Sequence, residues 1–159
     1  MKRLLGFAAV VVLIAVAAAT VAAQSNPLVG TWKLNVAKSN FSPGPGPKSL
    51  TRTVVADGDG VKYTFEGTAA DGTALAYSFS VQFDGKDNPV TGAMPGGVDA
   101  ISAKRTNAST YEATTKKGGK VIGSSKVTVS ADGKTTTVDA KGTNAKGEAT
   151  HDVSVYDKQ

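Results

Sequence analysis

Few side chains in this 159-residue chain can do chemistry. It has no Cys, one His (His151), one Trp (Trp32) and, beyond residue 23, only two arginines, Arg52 and Arg105. The missing cysteines exclude thiol nucleophiles, disulfides, zinc sites built from Cys and His, and lipid anchoring through a cysteine. His151 precedes Asp152, which suggests a base and its orienter. Neighbours on a strand point to opposite faces, however, so the two cannot form a triad-like hydrogen bond, and His151 reads as a surface or rim residue. Glu66, Glu112 and Glu148 are the only glutamates, and the first two alternate with Phe65 and Tyr111, which turns them toward water. The ten aspartates gather at turn sequences. Acid–base catalysis by paired carboxylates needs one of them in an apolar pocket, and this spacing supplies none. Asp57-Gly58-Asp59-Gly60 has the alternation of a calcium loop, but Val61 stands third from Asp59 and Thr68 twelfth from Asp57, where ligands are required, so it reads as a hairpin turn. Asn107-Ala108-Ser109 fits a glycosylation acceptor, but so short a pattern arises by chance, and it reads as a turn. The expectation is a protein that is not an enzyme, with no catalytic residue, no metal site and no cofactor.

What remains is aromatic. Leu75, Tyr77, Phe79, Val81 and Phe83 alternate with Ala76, Ser78, Ser80 and Gln82, a period of two that no helix can bury on one face. Weaker alternation links Val61, Tyr63 and Phe65, and again Val127 and Val129. Turn pairs punctuate these runs at Asp57-Gly58, Asp71-Gly72, Asp84-Gly85, Gly96-Gly97, Gly118-Gly119, Asp132-Gly133 and Lys146-Gly147, with another turn at Asn107-Ala108; Asp-Gly suits the positive φ angles of tight hairpins. The pattern predicts ten strands, over 30–36, 50–57, 61–69, 73–83, 88–91, 98–105, 109–116, 120–130, 134–142 and 148–157. Short turns make successive strands antiparallel, and so many strands with one apolar face must close into a barrel or split into a sandwich. The fold class expected is all-β, a single antiparallel up-and-down barrel of about 8 to 10 strands. From residue 24 onward only 24 of 136 residues are Leu, Ile, Val or Phe, which points to a shell with little filling. The shortage is lopsided: strands at 61–69 and 73–83 are aromatic, whereas those from 109 onward offer Ala113, Gly123, Ser125 and Ala140. Any interior room is expected between those two groups.

Two segments stand outside the meander. Residues 1–23 have a basic start (Lys2, Arg3), an uncharged run from Leu4 and the small residues Val21-Ala22-Ala23, the layout of a signal peptide cleaved before Gln24. A retained anchor is the competing reading, since Leu4–Ala23 is long enough to span a bilayer. Either reading places the domain, residues 24–159, outside the cytoplasm, periplasmic or secreted. Lys38–Ser49 contains Pro43, Pro45 and Pro47 separated by glycines, and reads as an extended strap over one end of the barrel with Phe41 plugging its base. The formal charge of +5 falls to +3 once Lys2 and Arg3 are set aside, and its densest cluster, Lys116-Lys117-Gly118-Gly119-Lys120, sits at a turn, where lysines keep sheets soluble. That argues against nucleic acid. Thr, Ser, Lys and Glu on one face of nearly every strand argue against a barrel embedded in a membrane.

Val29-Gly30-Thr31-Trp32-Lys33-Leu34 resembles the Gly-x-Trp opening of lipocalins and fatty-acid-binding proteins, the calycin barrels that enclose small apolar molecules. Val155-Tyr156-Asp157-Lys158 is similar to the Val-Tyr-Glu-Lys that closes the last strand of the fatty-acid-binding branch. The resemblance implies that Trp32 plugs the barrel where first and last strands meet, with Lys158 or Lys33 over its ring. It also marks departures. No sequence for two lid helices lies between the first strands. Where those proteins carry Arg-x-Tyr for a ligand carboxylate, Ser154 and Tyr156 stand here. Arg52 and Arg105 can supply the missing cation, or can be solvated strand residues.

The function expected is non-covalent binding of a small apolar or amphipathic molecule by a monomer, in a pocket made by Tyr63, Phe65, Tyr77, Phe79, Val81, Phe83, Tyr111 and Tyr156 with Arg105. The alternative is a filled barrel or sandwich acting as an envelope or interaction module. A connected void of about 300 Å³ separates the two.

Overall fold

The computed structural model describes residues 26–144 and 146–159. The leader sequence lies outside the described residues. The polypeptide forms β1 (Gly30–Leu34), β2 (Asn40–Ser42), β3 (Ser49–Asp57), β4 (Gly60–Thr68), β5 (Ala74–Val81), β6 (Asp84–Gly92), β7 (Ala100–Asn107), β8 (Thr110–Lys117), β9 (Lys120–Val129), β10 (Thr135–Thr143) and β11 (Ala149–Lys158). From β3 to β11 each strand pairs antiparallel with the next, and β1 closes the sheet by pairing with both β3 and β11. The result is a closed antiparallel barrel of ten staves, the lipocalin-like architecture expected. All ten expected strands are present.

The eleventh strand, β2, is a correction to the strap. It pairs with β11 at His151–Val153, just beyond the stretch of β11 that pairs with β1. The first stave is therefore broken into β1 and β2 by one 3₁₀ turn at Val36–Lys38. Asn35 accepts from the Lys38 amide, while Ser39 donates to the Asn35 carbonyl and accepts from the Val155 amide, so β11 stitches the break. This single turn stands where two lid helices would be, and the remaining strap runs from Pro43 to Lys48.

One end of the barrel is solid. Trp32 and Val61 are fully buried beside Leu28, Val54, Val81 and Val129, and the indole N–H donates to the Leu28 carbonyl at 2.9 Å. Lys158 Nζ lies 5.1 Å from the Trp32 ring, the cation of the pair that covers it, while Lys33 faces water. The Gly-x-Trp spacing has a local reason here. Gly30 has φ 138°, and a Cβ on it would lie 2.8 Å from Lys158 Cε.

Candidate functional site

Period-two alternation decides what the barrel encloses. On β4 it turns Val61, Tyr63 and Phe65 inward and leaves Lys62, Thr64 and Glu66 exposed; on β5 it turns in Leu75, Tyr77, Phe79 and Val81. Register places Tyr63 opposite Phe79 and Phe65 opposite Tyr77. Their rings form one wall: Phe65 and Tyr77 stack at 4.6 Å and 14°, and Tyr63 and Phe79 meet at 5.2 Å and 31°. Facing them, β8, β9 and β10 contribute Ala113, Thr115, Ser125, Val127 and Val138. Between these walls lies an inner chamber of about 150 Å³. The room is where the lopsided composition of the strands places it.

Tyr77, Met94 and Tyr156 line the chamber and also an outer compartment of about 830 Å³ at the end away from Trp32. The strap from Phe41 to Pro47, the β4–β5 turn at Ala69–Asp71, Pro95 and Asn144 surround this mouth. Phe41 is half-buried here, beneath Gly46, so it does not plug the closed base. The inner chamber alone falls short of about 300 Å³, and the adjoining outer one exceeds it.

Arg52 also lines the inner chamber, and it is 2% exposed. On β3 it shares the inward face with Leu50 and Val54, between Trp32 on β1 and Phe65 on β4. Its guanidinium carbon is 4.3 Å from the Tyr156 ring, 5.4 Å from Trp32 and 6.0 Å from Tyr63. Its Nε and Nη2 are buried with no hydrogen-bond partner. The reading of Arg52 as a solvated residue therefore fails. Its burial was missed because Thr51, Thr53 and Val55 are as strand-compatible as Leu50 and Val54, leaving the phase open; the apolar neighbours two residues away on each side were the available signal.

The chain's four tyrosines, Tyr63, Tyr77, Tyr111 and Tyr156, are all buried in this region. Burial is the main cause that pushes each phenol above its ordinary range, partly opposed by the positive charge of Arg52. Tyr111 donates to the Tyr63 hydroxyl at 2.8 Å, which leaves the Tyr63 proton available to a further acceptor.

No family model matches the sequence, and no curated protein matches it either. Among solved structures the chain is similar to zebrafish ileal bile acid-binding protein complexed with cholic acid, with a TM-score of 0.47 and 11% identity over 84% of this chain and 99% of that one. It is also similar to a redesigned β-barrel, mFAP1, bound to DFHBI, with a TM-score of 0.46 and 12% identity over 83% and 95% of the two chains.

Of the residues expected to form a pocket, Tyr63, Phe65, Tyr77, Phe79, Val81, Tyr111 and Tyr156 line the inner chamber. Phe83 and Arg105 do not. Strand β5 ends at Val81, and Phe83 occupies the following turn with φ 58°, so the alternation stops two residues before it. Its ring meets Tyr111 edge-on at 5.1 Å, and the Arg105 guanidinium lies over the ring, 4.1 Å from its centre. Arg105 is exposed and donates to the Ala108 carbonyl across the β7–β8 turn, where the register shifts. Of the two cations considered, the one inside the barrel is Arg52. His151 sits on the outer face, 2.9 Å from Asp139 of β10, while the adjacent Asp152 accepts from the Ser42 amide.

Proposed function

We propose that this protein is an exported, monomeric barrel that binds a small apolar or amphipathic molecule non-covalently. The observation that carries the reading is the inner chamber between the Tyr63–Phe65–Tyr77–Phe79 wall and the small residues of β8 to β10, which adjoins a larger mouth compartment. A barrel selected only as a solid module gains nothing from placing Ala113, Thr115 and Ser125 opposite four aromatic rings, since filling that space with larger apolar side chains adds stability. Exposed Lys62, Thr64 and Glu66 on the outer face of β4 favour an aqueous surrounding over lipid. Export rests on the sequence of residues 1–23.

Native mass spectrometry of the protein purified from its own source tests the reading, with a co-purified small molecule as the expected result. Phe79→Ala should then weaken retention of that molecule while the barrel still folds. A protein that emerges empty, and that takes up no apolar probe, leaves the solid-module reading in its place. The same intact mass checks export, because a chain beginning at Gln24 is expected and one retaining Met1 refutes cleavage.

A further inference from the structure

The unpaired guanidinium of Arg52 belongs to no part of the fold that needs it. Among the described residues the ion pairs are Lys38–Asp157, Lys86–Asp84, Lys116–Asp87 and His151–Asp139, all at the surface, and none involves Arg52. A cation taken out of water without an anion is costly, and three aromatic faces compensate it only in part. No hydrogen bond satisfies its Nε or Nη2, so both donors of the planar fork are left for an oxyanion to accept in bidentate fashion. The Tyr63 hydroxyl, already accepting from Tyr111, adds a donor on the same side of the chamber.

Resting on the binding reading above, the geometry points to a specific ligand class: a compact organic carboxylate with a flat, aromatic body, bound with its anionic end inward at Arg52. The size follows from the chamber, whose volume of about 150 Å³ is comparable to a cavity of roughly 150 Å³ that accommodates one benzene ring. The flatness follows from the near-parallel rings of Phe65 and Tyr77, 14° apart, beside which an aromatic body can stack or pack edge-on. Any larger portion extends past Tyr77, Met94 and Tyr156 into the compartment beneath the strap.

The test is calorimetric titration of ligand-stripped protein with benzoate and with benzamide, which share a shape and differ in charge. The wild-type protein should bind the carboxylate at least about tenfold more tightly, the lower range for hydrogen bonds to a charged group. Arg52→Met should remove that preference and keep the amide affinity within about threefold. Arg52→Lys, which retains the charge without the fork, should recover part of it and serves if the Met variant fails to fold. Equal binding of the two probes by the wild-type protein, or a preference that survives in Arg52→Met, overturns the anion site and leaves the pocket standing. Failure of the wild-type protein to bind either probe overturns the flat aromatic ligand class, while the binding reading stands or falls on the native mass spectrum.

Discussion

Replacing Arg52 by Met should leave the ligand-free protein at least as stable as the wild type, although it removes one of the most deeply buried side chains. Arg52 is 2% exposed, and its Nε and Nη2 lack partners. An unsatisfied buried polar group costs about 1–3 kcal/mol, so the two together oppose folding by about 2–6 kcal/mol. Against this stand three cation–π contacts, with Tyr156 at 4.3 Å, Trp32 at 5.4 Å and Tyr63 at 6.0 Å. Only the first is close, and together they return about 2–4 kcal/mol. Met is unbranched and fills most of the same space with no polar group to satisfy. Taken at their midpoints, about 4 against about 3 kcal/mol, the cost and the compensation leave a gain of about 1 kcal/mol, or a Tm rise of about 3–5 °C for a domain of this size.

Urea unfolding of ligand-stripped protein, followed by the emission of Trp32, measures the difference directly, since Trp32 is the only tryptophan. The slope of the transition should not change, because both proteins bury nearly the same surface. A loss of more than about 1 kcal/mol would refute the reasoning: the aromatic faces would then outweigh the orphaned donors, and Arg52 would be a structural residue.

Trp32→Phe should cost about 1–3 kcal/mol in urea unfolding followed by far-UV circular dichroism, because it removes the indole N–H that satisfies the buried Leu28 carbonyl and leaves a smaller ring at the closed end. The four tyrosines are held neutral by burial, so their phenol values in the fold exceed the ordinary value of 10.0. Their contribution to stability is complete below about pH 10 and falls as the pH rises beyond it, because only the unfolded chain ionises there; tyrosinate absorbance should therefore appear together with loss of the fold, and an earlier rise would contradict the burial. Gly46→Ala should cost about 1–3 kcal/mol by thermal or urea unfolding, since the added Cβ would fall within 2.4 Å of three Phe41 ring atoms and force the strap off the mouth.

The barrel was legible because two independent signals agree along most of the chain. Alternation on β4 and β5 and a glycine of positive φ at the expected turns, such as Gly58 and Gly133, fix both the strands and their connections. Two of the misses share a cause: Phe83 and β2 lie where regular pairing stops. Phe83 continues the alternation in sequence, yet β5 has already ended and its backbone has turned to φ 58°. Strand β2 is only three residues long and is recruited by β11, a partner more than a hundred positions away, so no local pattern reveals it. Arg52 was ambiguous for a different reason. Its burial is set by closure of the barrel, which brings Trp32 and Tyr156 over it from the two terminal strands.

The scarcity of large apolar residues, 24 in 136, is reconciled with a stable barrel by how those residues are distributed. Leu28, Trp32, Val54, Val61, Val81 and Val129 are each no more than 2% exposed and fill the closed end, where β1 and β11 meet. Higher up, the same inward rows carry Ala113, Thr115, Ser125 and Ala140, which cannot reach across to the aromatic wall. A barrel whose strands are continuously hydrogen-bonded needs dense packing at only part of its length to hold its register. Concentrating the packing around Trp32 leaves the open half free to hold space, and it puts Arg52 at the boundary between the two. A cation one layer lower would be sealed among valines; one layer higher, it would be solvated at the mouth. At its actual height it is dehydrated by Trp32, Tyr63 and Tyr156 yet still borders the chamber, the position in which a buried charge can discriminate an anion from a neutral molecule of the same shape.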